Sequence, residues 1–306
     1  MASFRRLLSP ILCFISLFSP VLPAKFTIVN HCTYTVWPGI LSNGGSPSAE
    51  TTGFALENGQ SRDITQPRAW AGRLWGRFDC SGEATAGTFT CESGDCGSGA
   101  VECNGKGAQP PATLAEFTLN GADGLDFFDV SLVDGYNLPM LVAPQGGAEG
   151  PANCKETSCE IDINRICPAE LQLGATVDGD RKVVGCKSAC LAFGTPEYCC
   201  SEDHATPETC PPSNYSANFK SACPSAYSYA YDDQTSTFTC AAADYVITFC
   251  PASSSSTSQR TSGGQSTSPS SGGGVSAVGF YHQQIFALFI TTTILALPAF
   301  ESMQLH

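Results

Sequence analysis

The chain is short of positive charge. Its 306 residues hold 15 Lys and Arg against 28 Asp and Glu, a formal net charge of −13. Arg5, Arg6, Arg260 and Glu301 lie outside residues 25–250, which leaves 12 basic and 27 acidic residues in that stretch, a net of −15. Such a surface repels phosphate backbones, so nucleic acid is excluded as a partner, and anionic lipid is disfavoured for the same reason. Neutral ligands such as sugars, basic proteins and metal ions remain. Histidine is scarce too: His31, His204, His282 and His306 are the full set, and the last two stand near the end of the chain. There is no H-E-x-x-H zinc motif, G-x-S-x-G elbow, phosphate loop or dinucleotide fingerprint. Clustered Asp would suit Ca²⁺, but the EF-hand loop is missing. No metal and no cofactor is expected, and no repeat of solenoid period is present.

What the chain does have is cysteine. Residues 1–24 read as a secretory signal peptide: Arg5 and Arg6, an apolar run too short and too proline-broken to span a bilayer, then a small residue, with cleavage near Ala24. Of the 17 cysteines only Cys13 lies there; the other sixteen fall between Cys32 and Cys250. An even set in an exported chain reads as a disulfide framework rather than a zinc site, and spacing alone leaves its connectivity open.

Residues 25–250 form the candidate domain. Short β-branched or aromatic runs, among them "FTIVNHC", "GRLWGRF", "TLAEFTL", "FFDVSLV", "STFTC" and "YVITFC", are divided by Gly, Pro, Asn and Ser. This pattern predicts a mainly β fold, a sandwich or a barrel. Residues of about 150–223 differ: nine cysteines in a Pro-, Gly- and Asn-rich context predict an irregular lobe held by disulfides. "CKSACLAF" (Cys186 to Phe193) is the best helical stretch, and "SANFKSAC" (Ser216 to Cys223) a weaker one. Residues 251–274 are a Ser/Gly-rich disordered linker. Residues 275–306 carry a hydrophobic tail, read as a GPI-anchor signal with attachment near Ser271 or Gly272; a short transmembrane tail and an unanchored one are the alternatives. Asn214-Tyr215-Ser216 is a glycosylation sequon.

Several motifs together carry a family likeness. "FTIVNHCTYTVWPG", "GTFTCESGDCGSGAVEC", "PPATLAEFTLN", "DFFDVSLVDGYNLPM", "CPAEL", "EYCC", "YSANFKSACPSAYSYAYDD" and "YVITFC" resemble the thaumatin-like proteins, plant defence proteins of the osmotin, zeamatin and thaumatin type, across essentially all of residues 25–250. One departure is Ser93, where the family's pattern usually has Thr. The resemblance implies a flattened β-sandwich with disulfide-rich lobes and eight disulfides. It also implies their pairing: Cys32–Cys250, Cys80–Cys91, Cys96–Cys103, Cys154–Cys240, Cys159–Cys223, Cys167–Cys186, Cys190–Cys199 and Cys200–Cys210.

The stretch "EFTLNGADGLDFFDVSLVDG" (Glu116 to Gly135) reads as strand yet holds five carboxylates and no Lys or Arg. Carboxylates in a half-exposed sheet usually face water. Asp123 and Asp126 read as turn or edge residues. In one unbroken strand Asp129 and Asp134 would point to opposite faces, so they converge only if the chain bends near "VDG". The resemblance implies an acidic cleft of Arg73, Glu116, Asp129, Asp134 and Asp232, with Arg77 sharing the parity of Arg73. It implies antifungal binding of β-1,3-glucan. The alternatives are a weak endo-β-1,3-glucanase with Glu116 and Asp129 as the catalytic pair, and a protein-binding inhibitor or cell-surface module. Tyr227, Tyr229 and Tyr231 alternate as on one strand and offer either stacking surface or core packing. A monomer is expected, secreted, and tied to the membrane only through its C-terminal anchor.

Overall fold

The computed structural model describes residues 23–147, 154–177 and 179–252. The expected signal peptide, residues 1–24, lies outside the described residues except for its last two, Ala24 opening the first strand; the expected linker from residue 253 and the tail also lie outside them.

Thirteen strands are present among the described residues: β1 (Ala24–Asn30), β2 (Trp37–Ser42), β3 (Ser61–Gln66), β4 (Ala71–Ser81), β5 (Thr90–Ser93), β6 (Leu114–Thr118), β7 (Asp126–Ser131), β8 (Met140–Gln145), β9 (Thr157–Cys159), β10 (Gln172–Val177), β11 (Asp180–Cys186), β12 (Phe238–Cys240) and β13 (Asp244–Phe249). Four short helices, α1 (Ala189–Phe193), α2 (Pro196–Cys199), α3 (Asn214–Ala222) and α4 (Asp233–Ser236), sit between β11 and β12.

One sheet runs β3-β1-β13-β8-β9. Only its central pair, β1 and β13, is parallel; the other pairs are antiparallel. The second sheet runs β12-β7-β6-β4-β2, with β5 added at the far end of β4. The inward faces meet through aromatic rings: Phe26 lies 4.6 Å from Phe117, and Tyr245 lies 5.1 Å from both Phe117 and Phe128. All four are buried, and each such ring stabilises the fold by about 1.5–3 kcal/mol relative to exposure. The alternation in β1, buried at every second residue, is the imprint of this packing on the sequence. β3 escapes such reading, because its first three residues, Ser61, Arg62 and Asp63, are all exposed on a sheet edge.

Eight disulfides link the same partners that the resemblance implies. Cys32–Cys250 joins the two ends of the sandwich across 218 residues. The lobe after residue 150 is more regular than its composition predicts. β9 joins the five-stranded sheet, and β10 and β11 pair as an antiparallel hairpin beyond Gly179 (φ +86°). The "weaker" helical stretch forms the longest helix, α3, capped by the Ser213 side chain, which accepts from Ser216 N. In α1 the Ser188 Oγ accepts from Leu191 N at 3.2 Å. Ser188→Ala is expected to lower stability by about 1 kcal/mol, read as an earlier guanidinium midpoint at unchanged slope.

Two readings of local structure need correction. Asp126 is neither turn nor edge: it shares the inward parity of Phe128 and is 1% exposed. Its carboxylate accepts from Arg68 Nη1 at 2.9 Å, Tyr245 Oη at 3.1 Å and Asn120 N at 2.8 Å. Asp123 does stand in an exposed turn. The tyrosines of "YSYAYDD" do not share a strand; Tyr227 forms one bridge to Ser131, and the chain turns at Tyr229 to Tyr231.

Candidate functional site: an acidic row on the outer face of the second sheet

Three strands present one cross-strand row. In β4, Arg73 stands opposite Glu116 of β6, and Glu116 stands opposite Asp129 of β7. Their neighbours in sequence, Leu74, Ala115, Phe117, Phe128 and Val130, point into the sandwich and are buried. Strand parity therefore turns the three charged side chains outward together. The next row on that face, Trp75–Leu114–Ser131, is buried. There Trp75 and Leu114 form a small core with Cys96, Cys103 and Ala112. Arg77 follows on the same parity and is fully buried, donating to the carbonyls of Trp37 (2.9 Å), Pro38 (3.3 Å) and Val101. Burial lowers its pKa to about 10, which still leaves it charged at neutral pH. Arg77 thus fastens the loops that cover this end of the face, and Arg73 is the cation of the open row.

Asp134 reaches the row through a bend. β7 ends at Ser131, Gly135 N bonds Leu132 O at 2.9 Å, and Gly135 has φ +85°. A Cβ at Gly135 would meet Cys186 O at 2.7 Å, so only glycine fits where the lobe docks. Tyr136 and Cys186 exchange backbone hydrogen bonds of 2.8 and 2.7 Å there, fixing the turn against β11. The result sets Arg73 Nη1 3.9 Å from Asp134 Oδ2, with Arg73 Nε 3.6 Å from Glu116 Oε1. Ser93 sits behind this junction, donating to Val184 O at 2.8 Å and accepting from Asn137 Nδ2 at 3.1 Å in a buried site.

The electrostatics follow from one cation facing three acids. Burial raises the pKa of Glu116; Arg73 opposes this, Asp134 adds to it, and a hydrogen bond from Ser131 opposes it. The Glu116 side chain keeps 33% of its area accessible, so solvent moderates the burial. Asp129 is pushed well above the ordinary Asp range, first by burial and then by Glu116, against Arg73 and with Asp233. Asp134 is raised by burial and held down by Arg73. Two polar atoms in this row, Arg73 Nε and Asp129 Oδ1, are buried with no hydrogen-bond partner among the described residues, Arg73 Nε keeping only its ion pair with Glu116. Native proteins rarely leave such atoms bare, and a ligand is one way to satisfy them.

Asp232 is held by partners of its own. Its carboxylate accepts from Lys220 Nζ, Ser228 N and Ser228 Oγ, each at 2.9 Å. The acid that acts on Asp129 is its neighbour, Asp233. Among the described residues no group of three or more His, Cys, Asp or Glu is placed to hold a metal ion, and no helix is long and apolar enough to cross a membrane.

The family model described as "Thaumatin family" matches residues 30–251. The chain belongs to the thaumatin family. Thaumatin-like protein 1a of Malus domestica is 56% identical over 235 residues, covering 76% of this chain and 93% of that protein. Pathogenesis-related thaumatin-like protein 3.5 of Cryptomeria japonica is 54% identical, covering 74% and 90%. A Prunus avium protein named glucan endo-1,3-beta-glucosidase is 53% identical, covering 74% and 91%. A thaumatin-type sandwich, with its lobe stapled at Cys186, is thus the frame on which the acidic row is built.

Two functional neighbours were not legible from the sequence. Ser131 bonds Glu116 because β6 and β7 pair in that register. Tyr227 lies beside Ser131 in parallel and so faces the same side. The only signal for Tyr227 was its place in the quoted tyrosine run, and there strand periodicity misled.

Proposed function

We propose that this protein is a secreted plant defence protein that holds β-1,3-glucan along the Arg73–Glu116–Asp129 row, with Asp134 closing one side. The observation that carries this reading is one half-open row in which Asp129 Oδ1 has no hydrogen-bond partner among the described residues and Arg73 Nε has only a 3.6 Å ion pair with Glu116. A neutral polyhydroxyl ligand can donate to the carboxylate oxygen and accept from the guanidinium without adding charge. A net-acidic surface suits such a ligand better than an anionic one. The relative named for glucan endo-1,3-beta-glucosidase activity supports the choice of glycan. Insoluble β-1,3-glucan should sediment the protein, and Glu116→Gln should weaken retention about tenfold, the loss of one charge-assisted hydrogen bond. Equal sedimentation of wild type and variant would place glucan elsewhere or nowhere.

A second reading, slow hydrolysis, has one specific support. Glu116 and Asp129 stand directly opposite across the β6–β7 ladder, so both carboxyls leave the same face as a neighbouring cross-strand pair. Retaining glycosidases hold their carboxyl pair about 5–5.5 Å apart. Reducing ends released from laminarin, and lost in Glu116→Gln, are the expected signature. Binding with no release leaves a glucan-binding protein without turnover. Display on the outer face of the plasma membrane through the processed tail, and a glycan on the exposed Asn214, belong to the same reading.

A further inference from the structure

Beyond Asp129 the row continues. β12 pairs with β7 so that Phe238 faces Phe128, which places Thr237 opposite Asp129 on the outer side. Tyr227 is stitched to β7 by Tyr227 N to Val130 O (2.9 Å) and Leu132 N to Tyr227 O (2.8 Å). Its bridge to Ser131 puts its side chain on the face that carries Asp129 and Ser131. The Tyr227 hydroxyl donates to Asp233 Oδ1 at 2.8 Å and shares a close hydrogen bond with Thr237 Oγ1. Asp232, gripped by Lys220 and Ser228, fixes the turn from which Asp233 opens α4. Lys220 is itself held by Ala226 O and Ser236 Oγ, so the turn is anchored to α3.

The charges are therefore ordered. Arg73 flanks Glu116 on one side, and Asp233 lies past Asp129 on the other. The groups that face Asp129 are Arg73 from β4, Glu116 from β6, and Tyr227 with Asp233 from the segment between α3 and β12. A carboxylate next to a cation stays ionised, and one between two acids keeps a proton. We propose that Tyr227 and Asp233 belong to the cleft as positioning residues: the Tyr227 hydroxyl holds Asp233 past Asp129, on the side of the row away from Arg73, so that the row favours the proton on Asp129 over Glu116. On the hydrolytic reading, Asp129 is then the acid and Glu116 the nucleophile or base. On the binding reading, Asp129 donates its proton to a sugar oxygen while its other oxygen accepts from a hydroxyl, and Glu116 only accepts.

The inference deepens the glucan reading, yet its test needs no glucan. The Asp129 carboxyl carbon is followed by NMR against pH, assigned by its disappearance in Asp129→Asn. In Asp233→Asn its midpoint should fall. In Tyr227→Phe, which frees Asp233 to swing into solvent, it should fall in the same direction. The double variant should fall no further than the larger single, because the two act as one unit. Asp233 is exposed, so its variant is expected to keep the fold; retained near-ultraviolet dichroism checks this. An Asp129 midpoint unmoved in both variants overturns the proposal. If the midpoint moves but wild type does not sediment with β-1,3-glucan, the proton assignment stands and the glucan reading fails.

Discussion

Asp126→Ala is expected to lower the unfolding free energy by about 3–5 kcal/mol, because it breaks a buried ion pair and removes an acceptor on which three donors converge. Arg68 is 12% exposed and reaches Asp126 at 2.9 Å. The same carboxylate satisfies the Tyr245 hydroxyl, inside the aromatic cluster that joins the sheets, and the Asn120 amide. One truncation therefore removes the acceptor shared by a guanidinium, a hydroxyl and a backbone donor at once. For a domain of this size the thermal midpoint should drop by roughly 10 °C. A double change, Asp126→Leu with Arg68→Met, should recover most of that loss, since a buried pair contributes little net stability but is costly to halve. A single variant that melts with wild type would show that water reaches Arg68 and that the pair is not part of the core.

This pair also shows where sequence reading stops. Parity already put Asp126 on the face of Phe128 and Val130. What the sequence could not supply was a cation 58 positions away, so an exposed edge looked the better home. The outer row was legible because the resemblance supplied Arg73, Glu116 and Asp129, and parity is kept through short, unbroken strands. Asp134 required a bend, and Gly135 signalled one; its docking against Cys186 depends on the hairpin, which no local pattern announces. Asp232 and Asp233 are the hardest case. They are adjacent and chemically alike, and a turn rather than a strand decides which of them pairs with Lys220 and which bonds Tyr227. That turn is set by Lys220 on α3, outside the reach of any periodicity.

Arg73→Met should then be destabilising at neutral pH and nearly silent in acid. Without the guanidinium, Glu116, Asp129 and Asp134 face one another with no cation between them, and about 2 kcal/mol should be lost near pH 7. The direction with pH follows from proton linkage. All three carboxyls are raised in the folded protein, so above about pH 4 the folded chain holds protons that the unfolded chain has released. Their contribution to stability is therefore complete below the ordinary carboxyl range and declines as pH rises through the folded values. Removing Arg73 raises those values further and deepens the decline, whereas near pH 3 every carboxyl is protonated in both states and the difference closes. Asp129→Asn should do the reverse: a gain of about 1 kcal/mol near pH 7, none near pH 3, and partial rescue of Arg73→Met in combination. A loss in Arg73→Met that is equal at both pH values would mean that its aliphatic packing, not its charge, matters. Both variants should nevertheless lose retention on β-1,3-glucan, although they move stability in opposite directions. That opposition separates a ligand site from a structural ion cluster, because a cluster kept only for stability would not hold an acid whose removal makes the protein more stable.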